Sequence, residues 1–122
     1  MDKGKASNFR NLEVWKLGMK IVTDVYEMTR TFPREEVYGL VSQIRRSAIS
    51  VPSNIAEGFN RYHNKEYRQF IYVALGSCGE LETQIEVAKR LGFIKPETFE
   101  SLMEDINHES RMLNNLAKKL SK

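Results

Sequence analysis

The sequence predicts an all-α protein, an antiparallel up-down four-helix bundle. Three observations carry that expectation. Apolar residues recur with a 3.6-residue period over most of the 122 residues. No stretch of convincing length alternates as a strand would. The periodic segments are joined by short breaks at Phe32-Pro33, Tyr62-His63 and Leu91-Gly92, and short connections favour antiparallel neighbours. The chain is long enough for one domain with one core. We assign residues 1–8, polar throughout, to a flexible tail and residues 9–122 to the bundle.

The first helix is expected over residues 11–30, with two adjoining apolar stripes. One is Trp15, Met19, Val22 and Tyr26; the other is Val14, Leu17, Ile21, Val25, Met28 and Phe32. Together they exceed the ~100° face that one core contact needs. Two readings follow: a helix well buried in its own bundle, or one that packs on its core and on a neighbouring subunit. The second helix, over residues 34–60, places Val37, Val41, Ile44, Ala48, Val51, Ile55 and Phe59 at helical spacing straight through Pro52. Proline cannot donate to the carbonyl four residues back, so a kink near Pro52 is expected. Ser50, Ser53 and Asn54 are small enough to let another backbone approach.

The third helix starts after Tyr62-His63, with Asn64 as its expected N-cap. Its stripe of Tyr67, Ile71, Ala74, Cys78, Leu81, Ile85 and Ala88 runs to a stop at Gly92. Within it, Gly76-Ser77-Cys78-Gly79 lacks the GxxxxGK[ST] pattern of a phosphate loop. Small residues there are expected to admit a neighbouring helix. The fourth helix begins near Pro96 and carries Phe99, Leu102, Ile106, Leu113, Leu116 and Leu120, with Glu109 interrupting the stripe.

Little in the chain points to catalysis. His63 and His108 are the two histidines, and neither sits in an HExxH or ExxH spacing. A di-iron bundle needs paired Glu-x-x-His motifs, and only Glu104-Asp105 before His108 comes near one. No catalytic residue, metal ligand or cofactor site is assigned. Cys78, on the core stripe, reads as a structural thiol. A single cysteine excludes an intramolecular disulfide and fits a reducing cytoplasm. The polar N-terminus has no apolar signal core, and no run approaches the ~18 apolar residues of a membrane span. A cytoplasmic protein without a membrane role is therefore expected.

Charge is mildly basic overall, 19 Lys and Arg against 16 Asp and Glu. It is unevenly placed. Residues 45–68 hold Arg45, Arg46, Arg61, Lys65 and Arg68 against Glu57 and Glu66, whereas Glu80, Glu82 and Glu86 make the later segment acidic. A hairpin about Tyr62-His63 would set Arg45 level with Glu80, Gln43 with Glu82, and Glu57 with Arg68. Arg45, Glu57, Glu80 and Glu82 are thus expected in structural polar pairs. Arg46, Arg61, Lys65 and Arg68 remain as candidate phosphate contacts. Phe59, Tyr62 and Tyr67 lie close enough to stack on bases, although core packing explains Phe59 and Tyr67 equally well.

These residues carry a family resemblance. Leu12-x-Val14-Trp15, Thr31-Phe32-Pro33-x-Glu35, Tyr38-Gly39-Leu40, Gln43-Ile44-Arg45-Arg46-Ser47-Ala48 and Ser50-Val51-Pro52-Ser53-Asn54-Ile55-Ala56-Glu57-Gly58 come first. Phe70-x-x-x-Ala74-x-Gly76-Ser77, Glu80-Leu81-Glu82-Thr83-Gln84 and Leu91-Gly92-Phe93-Ile94 follow. The chain resembles the bundle proteins encoded within intervening sequences of bacterial 23S ribosomal RNA genes, from about Phe9 to Leu120. Cys78 departs from a position often leucine-like or small. The resemblance implies a left-handed bundle assembled as a homopentameric ring, without catalytic activity. It also implies RNA or DNA as a partner, since related pentameric bundles bind nucleic acid beside reverse transcriptases. The stripe of Trp15, Met19, Val22 and Tyr26 is then the expected subunit interface. Two functions are carried forward: an oligomer that binds nucleic acid through repeated basic residues, and a scaffold that holds another protein such as a neighbouring enzyme.

Overall fold

In a computed structural model that describes residues 8–121, the chain is built from four helices: α1 Glu13–Thr29, α2 Leu40–Phe59, α3 Asn64–Arg90 and α4 Pro96–Lys119. Among the described residues there is no strand. The tail expected at residues 1–8 lies outside this range except for Asn8. That residue caps a short 3-10 turn, Phe9–Asn11, by accepting from the Arg10 backbone N–H at 2.8 Å.

The helix ends follow local chemistry. The second helix begins later than its apolar period suggests. Residues Arg34–Glu36 form a separate 3-10 turn, and Gly39 leaves helical geometry before α2 starts. Glu36 Oε1 then accepts from the Leu40 N–H at 3.4 Å, serving one of the donors that a helix start leaves unpaired. Asn64 is the first residue of α3 and not its cap; His63 takes the cap position and makes no side-chain capping bond. At the other end Gly92 adopts φ +82°. It completes a Schellman stop, with Phe93 N–H on the Ala88 carbonyl at 2.9 Å and Gly92 N–H on that of Lys89 at 3.0 Å. Pro96 opens α4 at a position that needs no amide donor.

The helices pack in a square, α1 against α2 and α4, and α3 against α2 and α4. Cross-helix contacts set an antiparallel course. Gly18 of α1 meets Pro52 of α2 and Glu109 of α4, Ser50 of α2 meets Ser77 of α3 at 2.7 Å, and Arg68 near the start of α3 meets the Leu120 carbonyl after α4. Most residues of the predicted stripes form the core; Val37 is exposed, and Leu116 and Leu120 stay half-buried. Ile44, Ile55, Ile71, Ile85, Ile106 and Leu113 are fully buried, each stabilising the bundle by about 1.5–3 kcal/mol.

Small residues set the spacing of α2 against α3. A Cβ at Gly58 would lie 2.9 Å from both Phe70 Cβ and Tyr67 Cδ1 and 3.0 Å from the Tyr67 carbonyl, so only glycine admits α3 there. In the run expected to let a helix approach, Ser77 does so, but Gly76 and Gly79 face open space. Ser50 is the α2 residue that receives α3, and Asn54 Nδ2 donates to its carbonyl at 2.8 Å. The α2 helix continues unbroken through Pro52, whose ring is buried. Glu109 does more than interrupt a stripe: it is 0% exposed and lies inside the bundle.

Candidate nucleic-acid end and subunit groove

The two stripes of α1 part company in the structure. Val14, Ile21, Val25 and Phe32 are buried in the core, and Gly18 joins them. Trp15, Met19, Val22 and Tyr26 instead line an open groove of about 760 Å³, whose other wall is Ile49, Pro52, Ser53 and Ala56 of α2. Met19 is 38% exposed and Ile49 41%. The seam is apolar and partly wet, with side chains of α1 and α2 facing each other across it. The four residues expected at an interface are thus gathered on one face, and the sequence had shown only the α1 half of it.

The four candidate phosphate ligands do not form one patch. Arg46 is exposed, beside Val37, Tyr38 and Arg45 at the opposite end of α2. Fifteen residues separate it from Arg61, ~20 Å along the axis. Arg61, Lys65 and Arg68 cluster around the turn between α2 and α3, where Lys65 is exposed and Arg68 half-buried. The antiparallel course brings the end of α4 to the same place. There Arg68 Nη1 donates to the Leu120 carbonyl at 3.5 Å, and the exposed Lys118 and Lys119 precede that residue. Tandem lysines near the C-terminus were the available signal, unused because α4 had not been placed beside the turn.

The polar pairs differ from expectation. Arg45 does not reach across to Glu80. It turns toward α1, with Nε donating to Thr29 Oγ1 at 2.9 Å and Nη2 to the Tyr26 carbonyl at 3.5 Å, and its guanidinium lies 4.4 Å over the Tyr26 ring. The physical reason is local. Carbonyls at the end of α1 attract a cation, and a flat guanidinium stacks well on an aromatic face. Glu57 pairs with Arg61, just past the end of α2, at 2.8 Å and not with Arg68. Among the described residues neither Glu80 nor Glu82 forms an ion pair.

Of the aromatics considered for stacking, Phe59 and Tyr67 belong to the core and meet edge to face at 6.1 Å. Burial pushes the Tyr67 hydroxyl up to about 12. Tyr62 is 70% exposed and stands edge-on to His63 at 4.9 Å, so it alone of the three presents a ring to solvent. Arg61 lies 4.8 Å over the Phe70 ring.

Groups with reactive side chains are placed otherwise. Cys78 is buried, and burial pushes its thiol up to about 11, so it is no thiolate nucleophile near neutrality. His63 and His108 are exposed. Among the described residues no three His, Cys, Asp or Glu side chains gather where a metal ion could sit, and no helix is long and apolar enough to cross a membrane. Burial raises the Glu109 carboxyl to about 8, and among the described residues neither of its oxygens has a hydrogen-bond partner.

Comparison with known proteins agrees with the bundle. No curated protein matches the chain. A crystal structure of a protein of unknown function from the S23 ribosomal protein family of Bacteroides thetaiotaomicron superposes with a TM-score of 0.78. It is 21% identical and covers 86% of this chain and 98% of its own, which establishes a shared fold. The profile of the 23S rRNA-intervening sequence proteins matches residues 10–115. With nearly the whole bundle inside that match, the chain belongs to the 23S rRNA-intervening sequence protein family.

Proposed function

We propose that this protein is a non-catalytic bundle that assembles through the α1–α2 groove and binds structured RNA at its basic end. The observation that carries the nucleic-acid reading is the convergence of Arg61, Lys65 and Arg68 with Lys118 and Lys119 beside the exposed ring of Tyr62. Lys and Arg side chains contact phosphates, and an exposed aromatic supplies a stacking platform. Assembly matters because one subunit carries a net charge of only +3. Five copies, as the family resemblance implies, would carry about fifteen, and each neutralised phosphate steepens the dependence on salt. The expected subunit interface is the groove of Trp15, Met19, Val22 and Tyr26.

The test is binding of a structured RNA across a salt series. Affinity at 50 mM salt should fall by about tenfold or more by 200 mM. The triple variant Lys65→Glu, Lys118→Glu, Lys119→Glu should lose most of it while melting like the wild type. Salt-insensitive binding, or a triple variant that binds as well as the parent, sinks the reading. Sequencing of RNA that copurifies would identify the target.

A second reading, a scaffold for another protein, draws on a different surface. Tyr72, Val73 and Val87 are exposed on the outer face of α3, next to the bare backbone of Gly76 and Gly79. If that face carries the function, charge reversal at the basic end should leave partner binding intact.

A further inference from the structure

Glu109 is the one side chain of charged type that is buried among the described residues. It reaches inward from α4 to where α1 and α2 meet. Its Oε2 lies 2.9 Å from the point where a Cβ on Gly18 would stand, and Pro52 Cβ is 3.5 Å from that same point. Gly18 therefore leaves the space that the carboxyl occupies. Pro52 also lines the α1–α2 groove, as do Trp15 and Met19 on either side of Gly18 in sequence. The buried carboxyl thus sits directly behind the groove floor.

Among the described residues no ion pair or hydrogen bond reaches its carboxyl. From α1 it meets Gly18 and from α2 Pro52. From α3 the nearby titratable group is the Cys78 thiol, which hydrogen-bonds with Ser110 and feels Glu82 as well as Glu109. On α4 itself, Asp105 is held at the surface by Lys20 at 2.7 Å, and His108 is exposed. An uncompensated carboxylate in such a place strongly favours rearrangement over remaining buried.

We propose that Glu109 is a proton-operated lock on the α1–α2 seam: neutral, it lets the helices close over it; ionised, it loosens the groove floor and weakens a copy seated there. The assembly half of this rests on the groove being the subunit interface. The sign follows from burial. The carboxyl titrates near 8 when folded, against 4.5 as its ordinary value. Folded, the carboxyl keeps its proton until pH nears about 8, whereas unfolded it loses it near 4.5. The stability that protonation contributes is therefore full below about 4.5, falls between the two values and is gone above about 8. The locked state therefore holds at neutral pH and gives way in mild alkali.

Trp15 is the only tryptophan and lines the groove, so its fluorescence reads the seam whether or not copies associate. The experiment follows Trp15 emission and light-scattering mass from pH 6.5 to 9.5 in the wild type, Glu109→Gln and Glu109→Met. The second variant keeps the test available if the amide folds poorly. Expected is a wild-type emission change with a midpoint near 8, flat traces in both variants, and self-association that weakens by up to about tenfold per pH unit above the midpoint in the wild type alone. A flat wild-type trace, or the same transition in the variants, overturns the lock. A monomeric mass at every pH overturns the assembly half, while emission still decides the lock. Assembly that ignores pH while Trp15 responds disproves the coupling between them.

Discussion

Arg45 shows how a single side chain is decided by its nearest competing partners. Across the hairpin, Glu80 offers an exposed carboxylate. On the adjacent helix, Thr29 and Tyr26 offer a hydroxyl, a carbonyl and a ring face within reach. An exposed ion pair contributes ~0–1 kcal/mol. A partly buried guanidinium that stacks and donates at once does better. A double-mutant cycle checks this. Arg45 and Thr29 should couple by about 0.5–1.5 kcal/mol in chemical unfolding, and Arg45 and Glu80 by nothing measurable. Coupling to Glu80 of similar size would mean that the side chain samples the other orientation. Arg45 was legible as a structural residue, but its partner was not, because sequence register offers candidates and cannot rank their desolvation.

The glycines of α2 and α3 illustrate why an element's composition has two meanings. Gly58 is required by the helix it faces, since an added Cβ would strike Tyr67 and Phe70. A Cβ at Gly76 or Gly79 would meet nothing within 4 Å among the described residues, yet each costs α3 ~1 kcal/mol relative to alanine. Gly58→Ala should destabilise the bundle by about 1–3 kcal/mol in denaturant unfolding, as overpacking does. Gly76→Ala and Gly79→Ala should each raise stability by about 0.5–1 kcal/mol. If Gly58→Ala proves neutral, α2 and α3 are more loosely seated than their contacts indicate. The same helices show why boundaries escape a periodic pattern. Val37 keeps step with the α2 stripe but is exposed, because the backbone at Gly39 separates it from the helix that the pattern extends.

For the whole molecule, the decisive feature is that α1 buries Val14, Ile21 and Val25 in the core while Trp15, Met19, Val22 and Tyr26 line a groove, Trp15 and Val22 also packing against the core edge. With the groove as the proposed subunit seat, bundle stability and assembly are separable by substitution. Met19→Glu, on the half-exposed wall, should reduce the light-scattering mass to that of one chain. It should shift the melting temperature of the isolated bundle by no more than a few degrees. A variant that unfolds would place Met19 in the core, and one that still associates would clear the groove of an assembly role. Charge also belongs to this scale. Arg46 and Arg61 look like neighbours in a basic segment, but the axial rise of α2 separates them, while the return of α4 adds Lys118 and Lys119 to Arg68.

The sequence alone determined the all-α class, the four core stripes, the glycine stop after α3, the structural character of Cys78 and the apolar half of the groove on α1. All of these follow from periodicity or from one residue's local chemistry, which need no knowledge of neighbours. Only the tertiary structure decided which stripe of α1 is core, which partner Arg45 takes, which basic residues share an end, and that Glu109 is inside. Those outcomes depend on which helix faces which and at what height. Burial, desolvation and charge proximity arise from that packing, and the linear chain does not carry them.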